Sequence, residues 1–178
     1  ALRSTQIAAM STLQISKLES DDVAALTTAA IQGLSTDHIV ALGSDQIQAL
    51  RSAQVASLTT AQVAALQTID LAAMTSNQVA AFRSTQIAAM STLQINQMET
   101  EDLAALTTAA LQGLTSDQVR ALSTDAIVGL TSAQVAALST ANIAAMNTLQ
   151  IANMETSDLA ALTTAQVVAL TSDQLIAL

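Results

Sequence analysis

Large apolar residues recur along this chain as pairs three positions apart, and the cycle of eight repeats without gap or insertion from residue 3 to residue 178. In the unit at 59–66, Thr59-Thr60-Ala61-Gln62-Val63-Ala64-Ala65-Leu66, the pair is Val63 and Leu66. With the unit numbered 1 to 8, position 2 is Ser or Thr in all 22 units, position 5 is Ile, Val or Leu, and position 8 is Leu, Met or Phe. Position 4 is usually Gln, and position 7 is Ala or Gly in all but four units.

A spacing of three is helical spacing, but one continuous helix does not fit. At about 100° per residue an eight-residue period drifts by about 80° per unit and smears the apolar stripe around the cylinder. Strands fit no better, because their faces alternate every second residue and Ala is a poor strand former. The helix must therefore break once per unit, and the Ser or Thr at position 2 is the expected break, an N-cap whose hydroxyl accepts from a free first-turn N–H. Position 3 then opens the helix. It holds Asp21, Asp37, Asp45, Glu101, Asp117, Asp125 and Asp173, and a negative charge there suits the positive end of the helix dipole. A helix of about one and a half turns is unstable alone, so each unit must be held by stacking on others. Positions 5 and 8 are expected to face the axis, position 3 to face outward, and the Gln at position 4 to satisfy backbone groups where helices end. The expected fold is all-α: a solenoid of very short capped helices, one per repeat, forming a single continuous unit over residues 1–178.

Four units place a large apolar residue at the outward position 3: Leu13, Ile69, Leu93 and Leu149, in units 2, 9, 12 and 19. Three of them replace the small residue at position 7 by Lys17, Gln97 or Asn153, and acid-rich units follow (Glu19, Asp21, Asp22; Glu99, Glu101, Asp102; Glu155, Asp158). Their spacings of 7, 3 and 7 units fit a coil of about 3.3 to 3.5 units per turn, a roughly triangular winding that brings the four residues to one face. Segmental duplication, seen as the likeness of units 1–6 to 11–16, accounts for the spacing equally simply. The sequence starts in mid-unit, as a fragment of a longer array would.

Composition narrows the function. There is no Cys, and Phe82 is the one aromatic residue, so thiolate metal sites and cysteine nucleophiles are excluded. Fourteen carboxylates against Arg3, Lys17, Arg51, Arg83 and Arg120 give a net charge of −9, which repels nucleic acid. Polar residues interrupt every apolar run, so no membrane insertion is expected. There is no signal-peptide pattern at the start. No catalytic, cofactor-binding or metal-binding residues are identified: phosphate loops, GxSxG and HExxH are absent, and the lone His38 replaces a Gln as a structural variant. A binding module is the rival reading, with calcium at the acidic units or ice on paired hydroxyls such as Thr107-Thr108. Calcium lacks a glycine-containing ligand loop, and charged residues interrupt the hydroxyl lattice.

Two families resemble this pattern. Residues 114–122 (LTSDQVRAL) and 130–138 (LTSAQVAAL) look like the opening helix of the DNA-binding repeats of TAL effectors. The proline, second helix and base-reading loop of those repeats are missing, so DNA binding is not carried over. The whole array from residue 3 to 178 resembles the octad repeats of the TTAQVAAL type in very large proteobacterial surface, adhesin-like or haem-utilisation proteins. That resemblance implies an extracellular or cell-surface stalk or fibre. Together these features point to a structural, non-enzymatic rod without cofactors, acting as a spacer or fibre segment, with Leu13, Ile69, Leu93 and Leu149 as a stripe for lateral self-association and unsealed ends for end-to-end stacking.

Overall fold

The computed structural model describes residues 2–178, and over them the chain winds as an all-helical solenoid. Twenty-two helices of four to six residues, one per unit, run from α1 (Ser4–Ala8) to α22 (Ser172–Ile176).

The units fold alike, and α8 (Thr60–Ala65) serves as the example. The Thr59 hydroxyl accepts from the Gln62 N–H at 3.2 Å, and the Gln62 Oε1 accepts in return from the Thr59 N–H at 2.8 Å. This reciprocal pair satisfies two of the N–H groups that a helix start leaves open. At the far end the Leu66 N–H closes on the Val63 carbonyl at 3.2 Å, a tighter bond that ends the last turn. Corners consist of two extended residues, such as Leu58 (φ −54°, ψ 138°) and Thr59 (φ −72°, ψ 160°). Among the described residues none has positive φ, so the corner requires no glycine.

The cap is therefore position 1, one residue earlier than the sequence pattern suggests. Every Ser, Thr or Asn at position 1 caps its helix through its side chain. Position 2 is already helical, and its uniformity has another cause: the next turn lies against it. The Ser20, Ser52 and Ser116 hydroxyls donate to the Asp45, Asn77 and Ala141 carbonyls, each 25 residues ahead. Position 2 must be small and polar because it is a seam between turns.

Each helix packs on the third one along, from α1 on α4 (Thr28–Gln32) to α19 (Thr148–Ala152) on α22. Side-chain bonds between turns join residues 25 to 31 apart, which puts one turn between three and four units and agrees with the expected winding. Positions 5 and 8 fill the axis: Ile31, Ile39, Ile47, Val55 and Val63 are fully buried, with Leu34, Leu42, Leu50 and Leu58 beside them. Position 3 is exposed in every unit.

Three units carry Ala at position 4 (Ala30, Ala110, Ala126), and the same three carry Gly at position 7 (Gly33, Gly113, Gly129). A Cβ on Gly33 would lie 2.6 Å from the Ser4 carbonyl oxygen, one on Gly113 would overlap the Ser84 backbone, and one on Gly129 would overlap the Thr100 side chain. In these units the turn before lies against the glycine, and only a residue without a Cβ leaves it room. The two substitutions are one packing solution. Gly113→Ala is predicted to cost about 1–3 kcal/mol through overpacking. The double variant Ala110→Gln/Gly113→Ala, which restores the ordinary unit, is predicted to cost less than the sum of the two single changes in a denaturation cycle.

Candidate interaction surface

Two sets of side chains stand out: the outward apolar residues and the column at position 4. Leu13 in α2 (Thr12–Ser16), Ile69 in α9 (Thr68–Ala72), Leu93 in α12 (Thr92–Asn96) and Leu149 in α19 are 68, 67, 60 and 66 % exposed. Ile69 and Leu93 lie on helices that pack directly on each other, while α2 and α19 belong to the other two stacks. Lys17, Gln97 and Asn153, the long residues at position 7 of three of these units, are exposed as well. The Asn153 amide donates to the Leu149 carbonyl at 2.8 Å. Val40, Val168 and Ile176, at position 6, add exposed apolar surface that the position-3 pattern does not reveal.

The acid-rich units do not gather their carboxylates. Glu19, Glu99 and Glu155 sit at exposed helix starts and Asp21 and Glu101 face outward, whereas Asp102 and Asp158 turn into the seam between turns. Among the described residues no three carboxylate, imidazole or thiol groups converge on one point. Among those residues one ion pair forms, Arg120 to Asp117 at 3.0 Å, and it is exposed, where such pairs contribute little. A groove beside Gly43, lined by Leu18, Glu19, Ser44 and Asp45, is shallow and open to solvent. Among the described residues no helix is long and apolar enough to cross a membrane.

The column at position 4 is the most organised polar feature. Gln62 is almost completely buried and bonds in two directions. Its Oε1 takes the Thr59 N–H of its own unit, and its Nε2 donates to the Ile31 and Leu34 carbonyls, 31 and 28 residues back, at 2.7 and 2.8 Å. Gln46, Gln54, Gln78, Gln86, Gln94, Gln118, Gln134, Gln150, Gln166 and Gln174 repeat this pattern. One amide thus starts its own helix and holds the end of a helix in the turn before. The sequence indicates the first half of that role; the partner 28 residues away has no local signal.

His38 takes the same place by the same logic. Its Nδ1 accepts from the Ser35 N–H at 3.2 Å and its Nε2 lies 2.9 Å from the Met10 carbonyl. These partners assign the neutral tautomer with the proton on Nε2. The structure therefore uses His38 as a stitch between turns. Asn142, one methylene shorter than Gln, still donates to the Leu114 carbonyl at 2.9 Å.

Asp70, Asp102 and Asp158 are the unexpected members of the column, all buried. Asp70 accepts from the Ser44 hydroxyl at 2.9 Å and Asp158 from the Ser132 hydroxyl at 2.6 Å, and each leaves its other oxygen buried without a partner. For Asp102, burial pushes the carboxyl up to about 6, and the neighbouring Glu99 and Glu101 carboxylates add to the rise. In sequence these residues read as ordinary first-turn acids; their burial follows only from the winding.

The model of a repeat family described as the ALTTAQ repeat matches residues 15–52, 63–100, 95–132, 118–148 and 151–178. No curated protein matches the chain. The column makes a prediction of its own. His38→Gln is expected to keep the stability within about 1 kcal/mol, whereas His38→Ala, which strands the Ser35 N–H and the Met10 carbonyl, is expected to cost about 1–3 kcal/mol in chemical denaturation.

Proposed function

The chain belongs to the ALTTAQ repeat family, and we propose that this array works as a structural rod, a spacer or fibre segment that associates laterally with copies of itself. The role is mechanical and not catalytic, because the buried polar side chains are occupied in joining turns and the outward positions are mostly small or singly charged. The observation that supports lateral association most directly is the exposure of Leu13, Ile69, Leu93 and Leu149, each 60 % or more open to solvent. Scattered exposed apolar residues are common, but these are the large ones at a position that is otherwise polar or Ala.

Their placement offers apolar contacts on more than one side of the coil. Leu13 and Ile69 are 56 residues apart, as are Leu93 and Leu149. Ile69 and Leu93, on stacked helices, form an apolar pair along the coil, and Leu13 and Leu149 present apolar side chains on the other two stacks. An extracellular or cell-surface stalk is the setting proposed, on the resemblance of the octads to those of large bacterial surface proteins.

The triple variant Leu13→Asp/Leu93→Asp/Leu149→Asp tests the proposal. Helicity by circular dichroism is expected to stay at the wild-type value, because the three side chains lie outside the core, while light scattering is expected to fall to that of a monomer. Scattering unchanged by the three substitutions, or a wild-type protein that is already monomeric at high concentration, overturns lateral association.

A further inference from the structure

The column at position 4 joins turns by donation: an amide or imidazole N–H reaches a backbone carbonyl in the turn before. A carboxylate has no proton to donate. Asp70 and Asp158 display the consequence, since each has one oxygen on a Ser hydroxyl and one buried oxygen with no partner. Asp102 occupies the same column in α13 (Thr100–Ala105) and is 6 % exposed. Its counterpart carbonyl, 28 residues back, is that of Met74. Asn142, with the same side-chain length and shape, spans the equivalent gap to the Leu114 carbonyl at 2.9 Å.

We propose that Asp102 is a proton-operated clasp between turns: protonated, its carboxyl donates to the Met74 carbonyl as Asn142 does to Leu114, and ionised, it faces that carbonyl without a donor and loosens the seam. The proton comes from solvent and returns there; no covalent bond changes.

The surroundings favour the protonated form. Glu99 and Glu101 stand on the same unit and add to the effect of burial, and α16 (Thr124–Val128), which packs on α13, carries Asp125 at an exposed position. The other helices against α13, α10 (Ser76–Val79) and α17 (Ser132–Ala137), carry no charged residue. Among the described residues of these elements no cation faces the carboxyl. Its value of about 6, against the ordinary 3.8, fixes the sign of the linkage. The folded state binds this proton more tightly than the unfolded chain, so the stability that the clasp contributes is fully present below 3.8, declines as pH rises and is lost above about 6.

Two measurements on the whole chain test the clasp. The side-chain carboxyl ¹³C resonance of Asp102 is expected to titrate with a midpoint near 6; a midpoint at the ordinary carboxylate value overturns the proposal. Asp102→Asn carries a permanent donor of the same shape. The ratio of its folding constant to that of the wild type is expected to grow by up to about 100-fold from pH 4 to pH 7, and Asp45→Asn, at an exposed position, is expected to leave the profile unchanged. Parallel profiles for wild type and Asp102→Asn, or the same change produced by Asp45→Asn, overturn it as well. Neither measurement depends on whether the rods associate.

Discussion

Everything in this coil depends on how a chain of very short helices disposes of its backbone polar groups. A helix of four to six residues leaves most of its N–H and C=O groups without intrahelical partners, and such groups are costly when buried. The amide at position 4 answers this at both ends. Its oxygen takes an N–H at the start of its own helix, and its nitrogen takes two carbonyls at the end of a helix in the turn before, as Gln62 does for Thr59, Ile31 and Leu34. Local folding and tertiary stacking thus use the same side chain, and a unit without its neighbour loses both its packing and the bonds its amide makes to the turn before.

The remaining positions follow from that stitch. The turns lie at a distance set by the buried amide, so position 2, which lies between them, is small in every unit. Where Ala30, Ala110 and Ala126 replace the amide, Gly33, Gly113 and Gly129 leave room for the residue of the turn before that lies against them. Position 3 lies outside this network, which leaves it free to vary from Asp to Thr to Leu without disturbing the fold. The surface that can acquire a function is therefore the outward column, whose departures, Leu13, Ile69, Leu93 and Leu149, are the large apolar side chains it presents to solvent.

The carboxylates in the column show the stitch from its other side. Asp70 and Asp158 keep one oxygen satisfied and leave one buried without a partner, and Asp102 responds to burial and to Glu99 and Glu101 by holding its proton more tightly. An ionisable group placed where a donor is needed links the cohesion of neighbouring turns to pH. The regular amides on either side keep the rest of the coil indifferent to it.

The eight-residue period alone determined much: short helices broken once per unit, positions 5 and 8 on the axis, and position 3 outward. These follow from periodicities and side-chain sizes that recur within a few residues. The sequence pattern put the cap at position 2, while the structure puts it at position 1, because a hydroxyl present in every unit reads equally well as a cap or as a seam. The bonds from Gln62 to Leu34, from His38 to Met10 and from Ser44 to Asp70, the exchange of Ala110 with Gly113, and the burial of Asp102 were decided only by the tertiary structure. Each joins residues brought together by a full turn of the coil or follows from the spacing of turns, and a local pattern contains no measure of that distance.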